Sequence, residues 1–523
     1  MTPRTAAGSP PRVPWPWTPR GTLGLLLAWA AGHVLLRLAL SSALTVDDAR
    51  EAVLGQSFEW GYQARQPPLY DWLVWAAFRL LGPGVLALTV LKYAVLVLTF
   101  WLVHLTARRL LADPRLATLA TFSFLLMIPV SWNVHEALTH TITVLAACAG
   151  AAYLLVRLPE RPTPGMYATL GAALGLGALS KFTFLVFAAA LLGAALLVDR
   201  FRPHLLTPRL GLALLVAGAL VLPYALWFVG HGHDLGRLYA REVRLDEGDP
   251  WLAEAGAGLY YVARIALYYL GPLALLLGAC FPGLYRRLPP GASAGGPAGG
   301  RLMGALLGCV LALLGAAALA GVLPFLKFRW LMPAFALVPL YAFWRIERQP
   351  GAPRRVTAFA VILAVAAGAL AAALAVRVLG AGLFARPYKL NEPYDLIAAG
   401  LVGAGFRRGT IVGGWDSLAG NLRIRFLDSR VVHVEFPDYR PPPRPPGGPG
   451  GQCLVVWDRR RGEASDPRPR PEVPDDLRAL AATLGVTVTG AEPVRSVDAP
   501  FRFDPRHVRR VHFILLPGAG DCR

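Results

Sequence analysis

Long apolar blocks alternate with short polar breaks along most of the chain. The blocks fall at 23–44, 84–107, 117–132, 137–157, 166–180, 182–198, 210–229, 262–282, 302–323, 330–345 and 356–379. At about 17–25 residues each they match the length that crosses a bilayer, and they predict about eleven transmembrane helices. A soluble core of this size shows a helical stripe or strict alternation instead. The lead, 1–22, carries Arg4, Arg12 and Arg20 among prolines and reads as a disordered basic segment. The run Leu23 to Leu44 is too long for a signal-peptide core and has no small-residue cleavage site, so it reads as a retained first span.

The polar breaks have two characters. One set is rich in arginine: Arg108, Arg109 and Arg115; Arg157 and Arg161; Arg200, Arg202 and Arg209; Arg286, Arg287 and Arg301; Arg345, Arg348, Arg354 and Arg355. The other set, 44–83, 133–136, the turn at Lys181, 230–261 and 324–329, holds most of the acids before residue 380. The sets alternate along the chain. Arginine-rich loops stay cytoplasmic, so the N-terminus is expected inside and the residues after 380 outside. The fold class is then an all-α polytopic membrane protein, residues 23–379, with an extracytoplasmic domain over 380–523.

That last segment is mixed in pattern. "RGTIVGGWDSLAGNLRIRFLDSRVVHV" reads as short strands with glycine turns, and "CLVVWD" as a buried strand. "DDLRALAATLG" reads as a helix closed by glycine, and "RPPPRPPGGPGG" as a polyproline or flexible insertion. A small α/β domain of soluble type results.

Composition agrees with the membrane reading. The chain is 55% apolar and 16% charged, with a mean hydropathy of +0.47, against about 25% charged in soluble domains. The net charge of +20 comes without any nucleic-acid reading motif, and it fits loops that meet anionic headgroups. No nucleic-acid partner is expected. Five cysteines give no metal-ligand spacing. Cys148, Cys280 and Cys309 lie in apolar segments. Cys453 and Cys522 lie in the tail, and the sequence leaves open whether they pair.

The chemistry gathers in the first outer loop, 44–83. Asp47 and Asp48 begin it, followed by Trp60, Tyr62, Tyr70, Trp72 and Trp75. Acids in "TVDDAREAV" suit the first turn of a helix, where the dipole favours them. A half-desolvated carboxylate at the membrane surface also has a raised pKa and serves as a base. The aromatics read either as an interfacial belt or as sugar-stacking faces. His135, Glu136 and His140 are the nearest approach to a metal cluster, and no metal or other cofactor is indicated.

The acidic pair followed by "GQSFEWGYQARQPPLYDWL" resembles the first periplasmic loop of glycosyltransferase family 39 and related polyprenyl-phosphate-sugar transferases of the GT-C class. That group includes protein O-mannosyltransferase-like enzymes and the lipid A aminoarabinose transferases. "LGLGALSKFT" at Lys181, "KFRWLMPAFALVPLY" at Arg329 and "AGNLRIRF" in the tail also resemble family segments, and the likeness covers most of 25–430. It implies Asp47 as catalytic base and Asp48 as its neighbouring acid. It implies Lys181, Arg329 and Arg65 at the donor phosphate, and Gln66, Tyr62, Tyr70, Glu136 and His140 around the substrates. The sequence departs from the family pattern at Gln66, where Lys or His is usual, and at His140, where the family's second acid falls.

The resemblance implies an inverting membrane glycosyltransferase of the bacterial cell membrane. A polyprenyl-phosphate-linked sugar is the donor, and a glycan, lipid or protein is the extracytoplasmic acceptor. The departing phosphate needs cations, and Lys181 and Arg329 lie on the outer side. Snorkelling is the alternative account of both. Two other classes stay open at this point: a lipid-linked sugar transporter or flippase, and a non-catalytic membrane scaffold.

Overall fold

A computed structural model of the chain describes residues 13–245, 250–286, 298–349, 355–383, 387–414, 417–442, 451–458 and 471–523. Among these residues, seven helices are long and apolar enough to cross a membrane: Pro19–Leu40 (α1), Val85–Leu110, Thr139–Arg157, Arg209–Gly230, Trp251–Cys280, Ala298–Leu319 and Val356–Leu379. The predicted span 117–132 is a bent pair, Pro114–Leu126 and Pro129–Glu136, turned by 74°. Pro129 cannot donate to the preceding turn, which accounts for a break there. Counting that pair as one span gives up to eight. The other predicted spans are shorter helices: Pro164–Ser180, Thr183–Leu197, and the pair Phe328–Phe335 and Val338–Glu347. Several helices open on proline behind a capping side chain. Thr18, Asp113 and Thr163 accept from backbone N–H groups of the first turn, ahead of Pro19, Pro114 and Pro164.

The loops sort into two groups by what they touch. Arg109 pairs with Glu160, the backbone N–H groups of Ala112 and Asp113 donate to Glu347 at 2.8 and 2.9 Å, Arg209 donates to the Pro162 carbonyl, and Arg345 to that of Arg286. These all belong to the arginine-rich set. At the other end, residues from 44–83, 133–138, Lys181, 242 and 327–329 meet one another and the tail. Between the outer loop's first residues and the next span lie two short helices, Val46–Leu54 (α2) and Leu69–Leu81 (α3), before Val85–Leu110 (α4).

The tail is a five-stranded mixed sheet in the order β2-β1-β3-β5-β4. The strands are β1 (Gly409–Gly413), β2 (Arg430–His433), β3 (Gln452–Trp457), β4 (Arg495–Phe501) and β5 (Asp504–Pro517). β1 runs parallel to β2 and β3, with Ile411 opposite Val431 and Leu454, while β5 runs antiparallel to β3 and β4. β1 and β2 are buried throughout, as strands covered on both faces require, although β2 lies at the sheet's edge. The predicted strand stretch around "AGNLRIRF" contains a helix, Leu418–Arg423, and the helix expected at "DDLRALAATLG" is Asp475–Thr483, followed by Gly485 at φ +79°. Cys453 and Cys522 form a disulfide that ties β3 to the C-terminus. Most of the proline-glycine insertion, 443–450, lies outside the described residues.

The sheet domain and the outer loop share one core. Ala43, Val53, Leu54 and Tyr62 pack with Tyr394, Ile397, Leu418, Leu422, Val431 and Phe436. Specific bonds fix the docking. Asn421 accepts from the Leu44 N–H at 2.8 Å and donates to the Leu44 carbonyl at 3.1 Å. Gln56 does the same for Val431 on the edge strand β2, at 2.9 Å each way, and so pairs an otherwise open edge. Arg50 makes a two-pronged contact with Glu435, 2.8 and 2.7 Å. Gly420 lies directly on α2: a Cβ there would stand 1.9 Å from the Ala49 carbonyl oxygen, so only glycine admits this approach.

Candidate active site

Helix α2 separates the two adjacent aspartates. Both lie in its first turn, behind Thr45, and the Thr45 hydroxyl donates to Asp48 at 3.0 Å. Lys92, from α4, stands 3.0 Å from the other Asp48 oxygen, with both side chains buried at 5% and 7% exposure. Asp48 is therefore buried and paired. Asp47 points elsewhere and keeps 18% of its side chain exposed, with Arg50 at 3.8 Å. The Leu138 N–H donates to Asp47 at 2.9 Å. Leu138 adopts φ 76°, ψ 36° to do so, a left-handed conformation that costs a bulky residue about 1–3 kcal/mol and marks a constrained site.

The electrostatics at Asp47 reverse one expectation. Burial pushes its carboxyl up, but the Leu138 N–H and the charges of Arg329, Arg50 and Lys92 outweigh this and hold it below the usual carboxylate range. Desolvation alone predicts a raised pKa; surrounding donors and cations decide the sign. Asp47 is thus ionised and partly accessible.

Lys181 and Arg329 are brought to Asp47 from distant segments. Lys181 occupies the break between Pro164–Ser180 and Thr183–Leu197. It is buried and donates to the Thr141 hydroxyl at 2.9 Å. Its pKa is lowered to about 7, by burial first and by the charge of Arg329 second, with Asp47 opposing. Arg329 opens the helix Phe328–Phe335 and acts on both. Arg65 joins a second cationic patch: it and Lys327 both bond Glu242, at 2.6 Å each. Lys327 and Glu242 also act on Lys181. Neither was singled out from the sequence, although Lys327 stands two residues before Arg329 in the quoted "KFRW" stretch.

The remaining predicted residues divide. Tyr70 is buried, stands 5.7 Å ring to ring from His140, and has no partner for its hydroxyl. Burial and the carboxylates of Asp48, Glu51, Asp47 and Asp71 push its phenol well above the ordinary value. His140 lies against Glu51 and Asp71. Asp71, wholly buried, is pushed well above the carboxylate range by burial and by Glu51. Gln66 is half-buried, with its side-chain oxygen free of partners. Tyr62 belongs to the core shared with the tail, where its hydroxyl donates to the Ser57 carbonyl and accepts from the Glu59 N–H. Glu136 accepts from Tyr388 at 2.8 Å and stands 3.7 Å from Arg377. His135 bonds Tyr93 and stacks on His33. His135, Glu136 and His140 therefore point to three different surroundings and do not form a common cluster. Among the aromatics, Phe58, Trp60, Trp72 and Trp75 make one group, with Phe58 and Trp60 exposed.

The chain resembles known proteins in sequence and in fold. The family model described as dolichyl-phosphate-mannose-protein mannosyltransferase matches residues 65–227. The chain is 29% identical over 506 residues to the lipopolysaccharide core galacturonosyltransferase RgtB of Rhizobium johnstonii, covering 94% of this chain and 97% of that one. It is 27% identical over 502 residues to RgtA of the same organism, covering 92% and 94%. Its fold is similar to the crystal structure of ArnT from Cupriavidus metallidurans bound to undecaprenyl phosphate, with a TM-score of 0.57, 15% identity, and coverage of 94% and 98%. The chain is a multi-pass membrane glycosyltransferase, similar in sequence and fold to enzymes of the GT-C class. An enzyme of this class displaces the transporter and scaffold readings.

Proposed function

We propose that the protein moves a sugar from a polyprenyl-phosphate donor to a lipid-linked glycan acceptor outside the cytoplasm, with inversion at the anomeric carbon. The observation that carries this reading is that Asp47 and Lys181 bond the same short stretch, Leu138 and Thr141, and that the charge of Arg329 acts on both. Asp47 is held ionised by the Leu138 N–H and Arg329 and is the acid of the group with an accessible edge. It accepts the proton of the acceptor hydroxyl as that oxygen attacks the anomeric carbon. The C–O bond to phosphate breaks, and the phosphate leaves with its charge balanced by Lys181 and Arg329. A base of lowered pKa suits a reaction in which bond breaking runs ahead of proton transfer. Asp48 and Lys92 hold α2 so that Asp47 keeps its direction.

The whole-length likeness to two enzymes named as lipopolysaccharide core galacturonosyltransferases supports a uronic acid as the sugar and the lipopolysaccharide core as the acceptor. The arginine-rich loops support a cytoplasmic N-terminus by the positive-inside rule. The Cys453–Cys522 disulfide supports an oxidising compartment for the tail. The test is transfer by purified protein from a panel of polyprenyl-phosphate sugars, uronic acid and neutral, onto core oligosaccharide, with Asp47→Asn as control. Transfer from the uronic acid donor that Asp47→Asn abolishes is the expected result. Transfer equally fast with the variant rejects Asp47 as the base.

A further inference from the structure

Beside this site lies a buried polar cluster to which the transfer step proposed above gives no role. Among the described residues, Glu51, Asp71 and His140 form the group of metal-competent side chains whose ligand atoms all lie within 4.8 Å of one another. They come from α2, α3 and the helix Thr139–Arg157, and their exposures are 2%, 0% and 4%. His140 Nε2 stands 3.2 Å from Glu51 Oε1 and 4.0 Å from Asp71 Oδ1. With both carboxyls ionised, both Asp71 oxygens, Glu51 Oε2 and both ring nitrogens of His140 lack a hydrogen-bond partner; a proton between Glu51 and Asp71 would join that pair. The Thr139 hydroxyl orients Glu51, donating at 3.0 Å. The nearby cations are already engaged: Lys92 by Asp48 and Arg50 by Glu435. Buried groups of this kind are normally paired or bound to metal.

We propose that Glu51, Asp71 and His140 hold a divalent metal ion of the borderline class, zinc or manganese, that takes imidazole nitrogen and carboxylate oxygen together. Bonds of about 2.0–2.2 Å set tetrahedral ligand atoms about 3.3–3.6 Å apart, and the two separations measured from His140 bracket that range. Two carboxylates and a neutral imidazole carry the charge that balances a divalent ion. The unpartnered Tyr70 hydroxyl beside the His140 ring is available as a further oxygen. The ion joins three helices one turn from Asp47, because Glu51 follows Asp47 by four residues on the same helix face. Its role is positioning: it fixes the direction of α2 and does not touch the donor. The competing account is a proton shared between Glu51 and Asp71, with His140 a bystander.

The experiment uses the full chain in detergent, stripped with chelator and then titrated with Mn²⁺, followed by electron paramagnetic resonance, and with Zn²⁺, followed by calorimetry. The stripped wild type is expected to bind one equivalent and to melt at a higher temperature with the ion than without it. Even an outer partner of a metal ligand is worth about 10–100-fold in affinity, so His140→Gln and Asp71→Asn are expected to weaken binding by at least about 100-fold. Thr139→Val is expected to weaken it by about 10-fold. Binding of less than one equivalent of either ion by stripped wild type overturns the proposal, whatever the variants do. Undiminished binding by a folded His140→Gln variant also overturns it, since a carboxyl pair sharing a proton has no need of the imidazole.

Discussion

The two polar ends of the helical bundle use the same residue types in opposite ways. At the arginine-rich end, Arg109 meets Glu160 with exposures of 30% and 42%, and Arg345 and Arg355 end on backbone carbonyls. At the Asp47 end, the Lys92–Asp48 pair and Lys181 are sealed from solvent. An exposed pair is screened and contributes about 0–1 kcal/mol. A buried charge whose partner is removed costs about 3–5 kcal/mol. Charge at the first end orients and solvates the chain; charge at the second builds a site. Burial decides which it does, and substitutions at four positions sharpen the contrast.

The largest effect is expected at Asp47. Asp47→Asn keeps the shape and the Leu138 contact but accepts no proton. Turnover should fall by about 10²–10⁴-fold while donor affinity and melting temperature stay near wild type. A variant that turns over normally moves the base elsewhere on α2.

Next in size is Lys92→Ala, which leaves Asp48 buried without its cation. Chemical or thermal unfolding in detergent should show a loss of about 3–5 kcal/mol. A loss below about 1 kcal/mol would place this pair with the solvent-screened ones and erase the contrast.

Lys181→Ala should weaken the donor by about one to two decades, the value of a charge-assisted contact of about 1.5–3 kcal/mol. Its pH dependence has a definite sign. The free side chain titrates at about 7, and a bound phosphate raises that value. The complex then holds more protons than the free enzyme above pH 7, so donor affinity falls as pH rises from 7. Lys181→Arg, always charged, should flatten this profile between pH 6 and 9. A wild-type profile already flat there shows that Lys181 does not meet the phosphate.

The smallest effect belongs to the other end. Arg109→Ala should change stability by no more than about 1 kcal/mol. A change as large as that of Lys92→Ala would mean that the arginine face is also a structural core.

Much of this was legible in the chain. Apolar block length marked the helices because lipid leaves a spanning segment no other way to satisfy its backbone. The alternation of arginine-rich and acidic loops sorted the breaks into the two groups that later meet in space. Asp47, Lys181 and Arg329 stood out through quoted stretches, and their charges act on one another in the structure. The tail was read less well. The stretch around "AGNLRIRF" forms a helix because Gly420 and Asn421 dock it on α2, and local strand propensity does not register such a contact. β4 and β5 went unassigned; β4 carries little apolar signal, but the "VHFILL" run of β5 was there to be read.

The sequence by itself determined a membrane bundle, its two faces and the acidic loop, because these follow from local composition and from the solvent each segment must meet. Tertiary structure alone decided the roles of neighbours. Asp47 and Asp48 are chemically identical and adjacent, yet one is paired with Lys92 and the other faces Leu138 and Arg329. His135, Glu136 and His140 share six residues of sequence and three different environments. Position along the chain fixes neither burial nor which distant cation arrives, and those two quantities set the chemistry of every charged group here.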